Sequence, residues 1–182
     1  MKKLTVVGIG PGAYEQMTIQ AAAALGQAQV IVGYTAYVDL VRDHFPDKRF
    51  CATPMTKEVE RCELAFQEAM AGQDVAVICS GDAGVYGMSG LIYEVGQRYP
   101  QVEIAVVPGV TAALSGGAVL GAPLIHDFAV VSLSDRLTPW EKIEKRLLAA
   151  AEADFVVCLY NPASRTRRDY LQTGLRLAAP VP

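Results

Sequence analysis

The fold is decided by a segment near the middle of the chain, Val75-Ala76-Val77-Ile78-Cys79-Ser80-Gly81-Asp82-Ala83-Gly84-Val85-Tyr86-Gly87-Met88. Its first five residues form an apolar run bounded by Gly72 and Ser80, which predicts a buried strand. The loop that follows contains three glycines, which permit a sharp turn and a close approach to a ligand, and one carboxylate, Asp82. Ligands of α/β proteins usually bind where strands end. A strand-to-helix turn with Asp82 as the helix N-cap explains the same residues, so both interpretations stay open.

Strand-like and helix-like segments alternate on both sides of this loop. Helices are expected at 18–26, 38–41, 57–71, 89–97, 111–120, 140–151 and 165–177, and strands at 4–9, 30–32, 75–79, 102–107, 128–133 and 154–160. Residues 42–54 are expected to form a loop-rich linker. This alternation predicts an α/β protein with a mainly parallel sheet and helices on both faces.

Bulk composition narrows the class of protein. The 182 residues are enough for one large or two small domains, and 52% of them are hydrophobic, so a core can be buried. The net charge of -3 gives no electrostatic footprint for nucleic acid. Four cysteines without a paired spacing indicate a reducing, cytoplasmic location. The apolar run at 4–9 is too short for a signal peptide, and no segment reaches the length of a membrane span.

The first glycine-rich turn can be compared with the fingerprint of dinucleotide-binding proteins. Its spacing, Gly8-x-Gly10-x-Gly12, brings the third glycine one residue too early for the GxGxxG fingerprint. Pro11 removes a backbone N–H that a pyrophosphate needs, and the second strand ends at Tyr34 without an acidic residue. These departures argue against a nicotinamide cofactor. The carboxylate in the second loop suits a ligand with an amino group and a ribose, which S-adenosylmethionine has.

Other polar residues have both functional and structural interpretations. The basic residues Arg165, Arg167 and Arg168 lie near the start of a predicted helix, where the helix dipole disfavours positive charge. They fit either a solvated surface or an anionic ligand. His126 precedes a strand, where a histidine is usually structural. His44 and His126 together with scattered cysteines give no metal-ligand spacing, so no protein metal site is expected.

Four motifs in a fixed order carry a resemblance to a known family. They are Gly8-Ile9-Gly10-Pro11-Gly12, the loop at 80–88, Pro108-Gly109-Val110-Thr111-Ala112 and Tyr160-Asn161-Pro162. In this order they resemble the tetrapyrrole methyltransferases of cobalamin and sirohaem biosynthesis. The segments 121–128, 132–135 with 138–140, and 154–162 are similar to the precorrin-3B C(17)-methyltransferases, the ring-contracting members of that family.

The resemblance implies a fold and a cofactor. It implies two α/β domains, 1–109 and 110–182, of the tetrapyrrole methyltransferase type and not of the Rossmann type. Family members continue further than this chain, so the second domain is expected to be incomplete. S-adenosylmethionine is expected in the cleft between the domains, with S-adenosylhomocysteine as the product, in a homodimer. The cofactor-binding positions implied are Pro11, Gly81, Asp82, Ala83, Val85, Thr111, Ala112 and Asn161.

The resemblance also implies a chemistry. An electron-rich ring carbon attacks the methyl group of the sulfonium, and the macrocycle is contracted. Methyl transfer of this kind depends on positioning more than on a strong base. Because ring contraction moves protons, His126 and Asp135 are candidate general acids or bases. Arg165, Arg167 and Arg168 are candidates for binding the carboxylates of an anionic tetrapyrrole, and any cobalt belongs to the substrate.

Three alternatives stay open. The same fold acts on other acceptors, which include another precorrin position, diphthine and a ribose of ribosomal RNA, and the low basic content argues against RNA. A nicotinamide-dependent oxidoreductase is a different class, disfavoured by Pro11 and the missing acid. A chain that binds ligand without turning it over is the third.

Overall fold

A computed structural model of the protein describes residues 2–164 and 168–178. The chain forms two compact units, Met1–Ser115 and Gly116–Pro182. Along the sequence, the division between the units falls within the helix Ala112–Val119. The expected domain boundary at 109 and 110 lies in the turn before this helix. The first unit contains β1 (Lys2–Gly8), α1 (Ile19–Gln27), β2 (Val30–Tyr34), α2 (Thr35–Val41), β3 (Arg49–Thr53), α3 (Glu58–Met70), β4 (Val75–Cys79), α4 (Ser89–Gly96) and β5 (Val102–Val107), and α5 (Ala112–Val119) begins in it.

All five strands of the first unit are parallel and form one sheet in the order β3-β2-β4-β1-β5. This order differs from the 3-2-1-4-5 order of dinucleotide-binding folds, because β4 lies between β2 and β1. β1 is paired with β4 on one side and with β5 on the other, with Val7 opposite both Ile78 and Val107. The turns that follow these three strands consequently start side by side.

The strands alternate between two buried faces. On β1, Leu4 and Val6 pack on the side of α3 and α4, whereas Val7 packs on the side of α1 and α2, as does Ile9 directly after the strand. The other inner strands, β2 and β4, divide in the same way, because successive side chains of a strand point to opposite faces. The sheet is therefore covered by helices on both faces, as the alternating sequence predicted.

The second unit contains β6 (Phe128–Ser132), α6 (Trp140–Glu152), β7 (Val156–Tyr160) and α7 (Tyr170–Ala178). β6 and β7 are parallel neighbours, with Ser132 opposite Tyr160. Their side chains and those of α6 bury a small core of Val131, Leu133, Ile143 and Leu147. The unit has the strand–helix–strand pattern of an α/β domain.

Two sequence predictions differ from the structure. Residues 42–54 were expected to be loop, but 49–53 form β3 at the edge of the sheet. An edge strand has a single neighbour, so its residues need not be uniformly apolar, and Arg49 and Ala52 are exposed. The last helix begins at Tyr170 and not at 165, so Arg168 precedes it. Within the part of the chain that the structure describes, no helix is long and apolar enough to cross a lipid bilayer.

Candidate functional site at the carboxyl ends of the central strands

Three turns follow β1, β4 and β5 at the same edge of the sheet. They are residues 8–12, 80–88 and 108–112, and we call them together the three-turn cluster. All three belong to the first unit. Every motif of that unit which carried the family resemblance lies in this cluster.

The first two turns are joined through their backbones. Gly10 N–H donates to Gly81 O at 3.0 Å, and Gly81 N–H donates to Gly10 O at 2.8 Å. This reciprocal pair forms an isolated antiparallel bridge between otherwise parallel segments. Gly81 has a φ of +67°, a backbone conformation that residues other than glycine rarely adopt. The glycine at this position is therefore needed for the contact between the turns.

The third turn packs against the other two without side chains between them. A Cβ atom on Gly109 would lie 2.2 Å from Gly81 O and 2.6 Å from Gly8 O. Such distances are far inside van der Waals contact, so a side chain at Gly109 would displace the neighbouring turn. Glycine here serves the packing of one turn on another, a use that the sequence did not distinguish from contact with a ligand.

The carboxylate of Asp82 is hydrogen-bonded to backbone N–H groups of the second and third turns of the cluster. Oδ1 accepts hydrogen bonds from Gly84 N–H at 2.8 Å and Val85 N–H at 3.0 Å, and Oδ2 accepts one from Gly109 N–H at 3.0 Å. The side chain thus closes its own loop and holds it to the third turn. The N-cap interpretation is wrong, because α4 begins only at Ser89 and has Met88 as its N-cap.

The other predicted cofactor residues of this unit have mixed environments. Ala83 is fully buried, and its carbonyl accepts hydrogen bonds from Ser89 N–H and Ser89 Oγ. Pro11 and Ala112 are exposed, and Gly81, Val85 and Thr111 are half-buried. At these predicted positions the cluster therefore exposes backbone and small side chains, which leaves backbone polar groups near the surface.

The predicted residues of the second unit have separate surroundings. Asn161, with a φ of +51°, donates from Nδ2 to Ser132 Oγ at 3.0 Å, which joins the ends of β7 and β6. Asp135 Oδ2 accepts a hydrogen bond from the Tyr170 hydroxyl at 2.8 Å. His126 and Arg168 are exposed. Arg165 and Arg167 lie outside the described residues.

A buried arginine on α3 was not predicted. Arg61 is 3% exposed and lines a pocket of about 170 Å³ beyond the ends of β2 and β4. Tyr37 lines the same pocket, and burial, together with nearby Cys79 and Tyr34, raises the pKa of its hydroxyl. Nothing in the sequence marks Arg61, because it lies among Glu58, Glu60 and Glu63 in a helix whose charged residues are typical of a solvated face.

Comparison with known proteins shows what the chain is similar to. A family model described as Tetrapyrrole (Corrin/Porphyrin) Methylases matches residues 3–181. The chain is 50% identical over 177 residues to a probable cobalt-factor III C(17)-methyltransferase from Salmonella typhimurium, a match that covers 97% of this chain and 73% of that relative. It spans less than half the length of three further curated relatives, at 32%, 39% and 46%.

Two solved structures of methyltransferases are also similar to this chain. The methyltransferase CobJ matches with a TM-score of 0.88 and 38% identity over 97% of this chain and 75% of that chain. Uroporphyrin-III C-methyl transferase from Thermus thermophilus, complexed with S-adenyl homocysteine, matches with a TM-score of 0.71 and 25% identity over 97% of this chain and 77% of that chain. The predicted resemblance and the predicted non-Rossmann α/β fold are confirmed. The chain therefore belongs to the tetrapyrrole (corrin/porphyrin) methylases.

Proposed function

We propose that this protein methylates C17 of a precorrin-3B-type macrocycle, with ring contraction, in cobalamin biosynthesis. The observation that carries the proposal is the 50% identity, over nearly all of this chain, to a relative named as a C(17)-methyltransferase. The three-turn cluster supports it, because the resemblance assigns cofactor contacts to this cluster. The macrocycle is an anionic tetrapyrrole, and cobalt, where present, is part of that substrate.

S-adenosylmethionine is the proposed cofactor and supplies an electrophilic methyl group. Pro11, Gly81 and Val85 offer exposed or half-exposed backbone for it, and Thr111 and Ala112 lie at the start of α5. Asp82 has a different role, because its two carboxylate oxygens already accept hydrogen bonds from three backbone N–H groups. It positions the amides of the cluster. Ala83 contributes by packing the loop onto the core, and Asn161 is a proposed contact that rests on the resemblance alone.

The proposed general acids or bases are His126 and Asp135. His126 is exposed, which leaves its imidazole accessible to a substrate. Asp135 is held by the Tyr170 hydroxyl, which fixes the orientation of its carboxylate. Arg168 is exposed and is a proposed contact for substrate carboxylates, as are Arg165 and Arg167.

Two further properties are proposed with the function. The enzyme is a cytoplasmic protein, in line with four free cysteines and no disulfide among the described residues. It acts as a homodimer, as the resemblance implies, and sedimentation equilibrium measures this directly. A mass of one chain at micromolar concentration would contradict the dimer.

The test is an anaerobic assay with S-adenosylmethionine and both precorrin-3B and its cobalt-containing counterpart. We expect the product to gain the mass of one methyl group, with an absorbance change that reports ring contraction. The substrate form that turns over settles the metal content of the substrate. Calorimetric titration with S-adenosylhomocysteine and with NADH is the companion measurement. Binding of NADH without binding of S-adenosylhomocysteine would overturn the proposal in favour of an oxidoreductase.

A further inference from the structure

Within the described residues, Arg61 is a buried cation whose guanidinium donates hydrogen bonds to neutral groups alone. Its Nε donates to Thr53 Oγ1 at 2.8 Å, and Nη2 donates to the carbonyls of Pro54 at 3.1 Å and Thr53 at 3.5 Å. Nη1 donates to Met88 Sδ at 3.2 Å. Among residues 2–164 and 168–178, no carboxylate lies within ion-pair distance of it. Burial of a charge is costly unless an opposite charge compensates it.

The guanidinium retains donor capacity at one nitrogen. Thioether sulfur is a weak acceptor, and Nη1 carries a second N–H for which the described part of the chain supplies no acceptor. The ring of Tyr34 lies 6.0 Å from the guanidinium carbon, a distance at which a cation–π attraction compensates little of the charge. The arginine is thus fixed in position by Thr53 and Pro54 while its charge is left available.

The pocket beside Arg61 has the size and lining of an anion subsite. Its volume of about 170 Å³ is below the roughly 300 Å³ at which pockets for whole ligands begin, so it suits a small group and not a macrocycle. Four of the residues that line it carry hydroxyl groups, namely Tyr34, Tyr37, Ser80 and Tyr86. Tyr86, Gly87 and Met88 belong to the second turn of the three-turn cluster, so an occupant would contact the same loop that Asp82 holds.

We propose that this pocket binds a carboxylate group through Arg61. The remaining N–H of Nη1 can donate a charge-assisted hydrogen bond to one carboxylate oxygen, and a neutral occupant would bring no opposite charge to the guanidinium. Glu58 also lines the pocket and would oppose an occupant of higher charge, such as a phosphate. The identity of the occupant rests on the proposed function: the carboxylate belongs either to a side chain of the tetrapyrrole or to the amino-acid end of S-adenosylmethionine.

The first experiment needs neither of these ligands. The ¹⁵N–¹H signal of Arg61 Nε is followed by NMR while sodium propionate is added, with sodium chloride at equal ionic strength as the reference. We expect a saturable shift with propionate and none with chloride. Glu58→Gln, which removes the opposing charge and keeps Arg61, is expected to tighten propionate binding about threefold. Equal, non-saturable shifts with both salts would overturn the proposal.

The second experiment identifies the source of the carboxylate. Uroporphyrin III and S-adenosylhomocysteine are titrated by calorimetry into the wild type, Arg61→Met and, as a matched control, Arg146→Met, since Arg146 is exposed on α6. We expect Arg61→Met to weaken one of the two ligands about tenfold or more and the control to change neither. A tenfold loss for uroporphyrin III assigns the pocket to the substrate, and a tenfold loss for S-adenosylhomocysteine assigns it to the cofactor.

Failure of the pocket and failure of the proposed function are distinguishable. Wild-type affinities that survive in a folded Arg61→Met protein overturn the pocket and leave the function intact. A wild type that binds neither ligand overturns the function, and the propionate titration still decides the pocket. If Arg61→Met does not fold, the propionate titrations of the wild type and Glu58→Gln decide the proposal.

Discussion

Asp82 connects two turns that lie far apart in the sequence. Its Oδ1 atom closes its own loop, as an aspartate in a glycine-rich turn is expected to do, but Oδ2 accepts the N–H of Gly109, 27 positions later. The first contact is local and could be predicted from the sequence. The contact with Gly109 depends on the order of the strands in the sheet, in which β1 lies between β4 and β5. No local sequence pattern predicts that order. The motif therefore singled out Asp82 as a candidate residue but did not predict its contact with Gly109.

Replacement of Asp82 tests this positioning role. Asp82→Ala leaves the N–H groups of Gly84, Val85 and Gly109 without their acceptor, so we expect the free energy of unfolding to fall by about 2 to 3 kcal/mol. Binding of S-adenosylhomocysteine is expected to weaken as the turns loosen. The measurement is urea unfolding, with Asp39→Ala as the control, because Asp39 is exposed on α2. A loss no larger than that of the control, within about 0.5 kcal/mol, would contradict the role.

The thiol of Cys62 predicts a pH dependence of stability. Burial raises the pKa of this thiol to about 12 from its ordinary value of 9.0. The unfolded state therefore loses this proton first, so the stabilisation is complete below pH 9 and is lost as the pH rises from 9 towards 12. Between pH 8 and pH 10 we expect the free energy of unfolding to fall by about 1 kcal/mol more in the wild type than in Cys62→Ala.

Urea unfolding under reducing conditions at both pH values measures this difference. The comparison uses the change with pH in each protein, so the cavity left by the alanine cancels. Cys79, whose pKa burial raises to about 11, is present in both proteins and cancels as well. Parallel pH profiles for the two proteins would show that the Cys62 thiol ionises in the folded state as readily as in the unfolded state.

At the scale of elements, apolar runs predicted most of the fold. The buried strands of the sheet have contiguous Val, Ile and Leu residues, and β4 is buried along its whole length. β3 was missed because its five residues, Arg-Phe-Cys-Ala-Thr, include no such run and one of its sides has no neighbouring strand. Arg61 was missed because helical periodicity predicts which apolar residues of a helix are buried. It does not predict that a charged residue of the same helix is covered by neighbouring elements.

The contact between turns at Gly109 gives a test at this scale. In Gly109→Ala, the new Cβ would lie 2.2 Å from Gly81 O, so the third turn has to move. We expect a loss of about 1 to 3 kcal/mol in the free energy of unfolding and weaker S-adenosylhomocysteine binding. The matched control is Gly26→Ala in α1, where a Cβ meets nothing within 4 Å. The control is expected to stabilise the protein by about 0.5 to 1 kcal/mol.

Urea unfolding and calorimetry of both variants check the prediction. An equal effect of the two substitutions would mean that the turn at Gly109 adapts without cost. A loss of ligand affinity in Gly109→Ala with unchanged stability would instead indicate that the turn contacts the ligand directly. Only a joint loss supports packing of the three turns as the basis of the site.

At the scale of the molecule, the two units have unequal cores. In the described residues, the first unit buries clusters of 15 and 12 apolar residues on the two faces of its sheet. The second unit has one cluster of four buried residues against a two-stranded sheet. Since stability grows with buried apolar surface, the second unit should open at a lower free energy than the first.

Hydrogen exchange followed by mass spectrometry measures the difference. Peptides from β6 and β7 are expected to exchange faster than peptides from β1 and β4, whose strands are paired on both sides. Leu147→Ala, which empties part of the small core, should accelerate exchange in the second unit alone, whereas Leu25→Ala, on α1, should accelerate it in the first. Acceleration of both units by either substitution would mean that the chain unfolds as a single cooperative body.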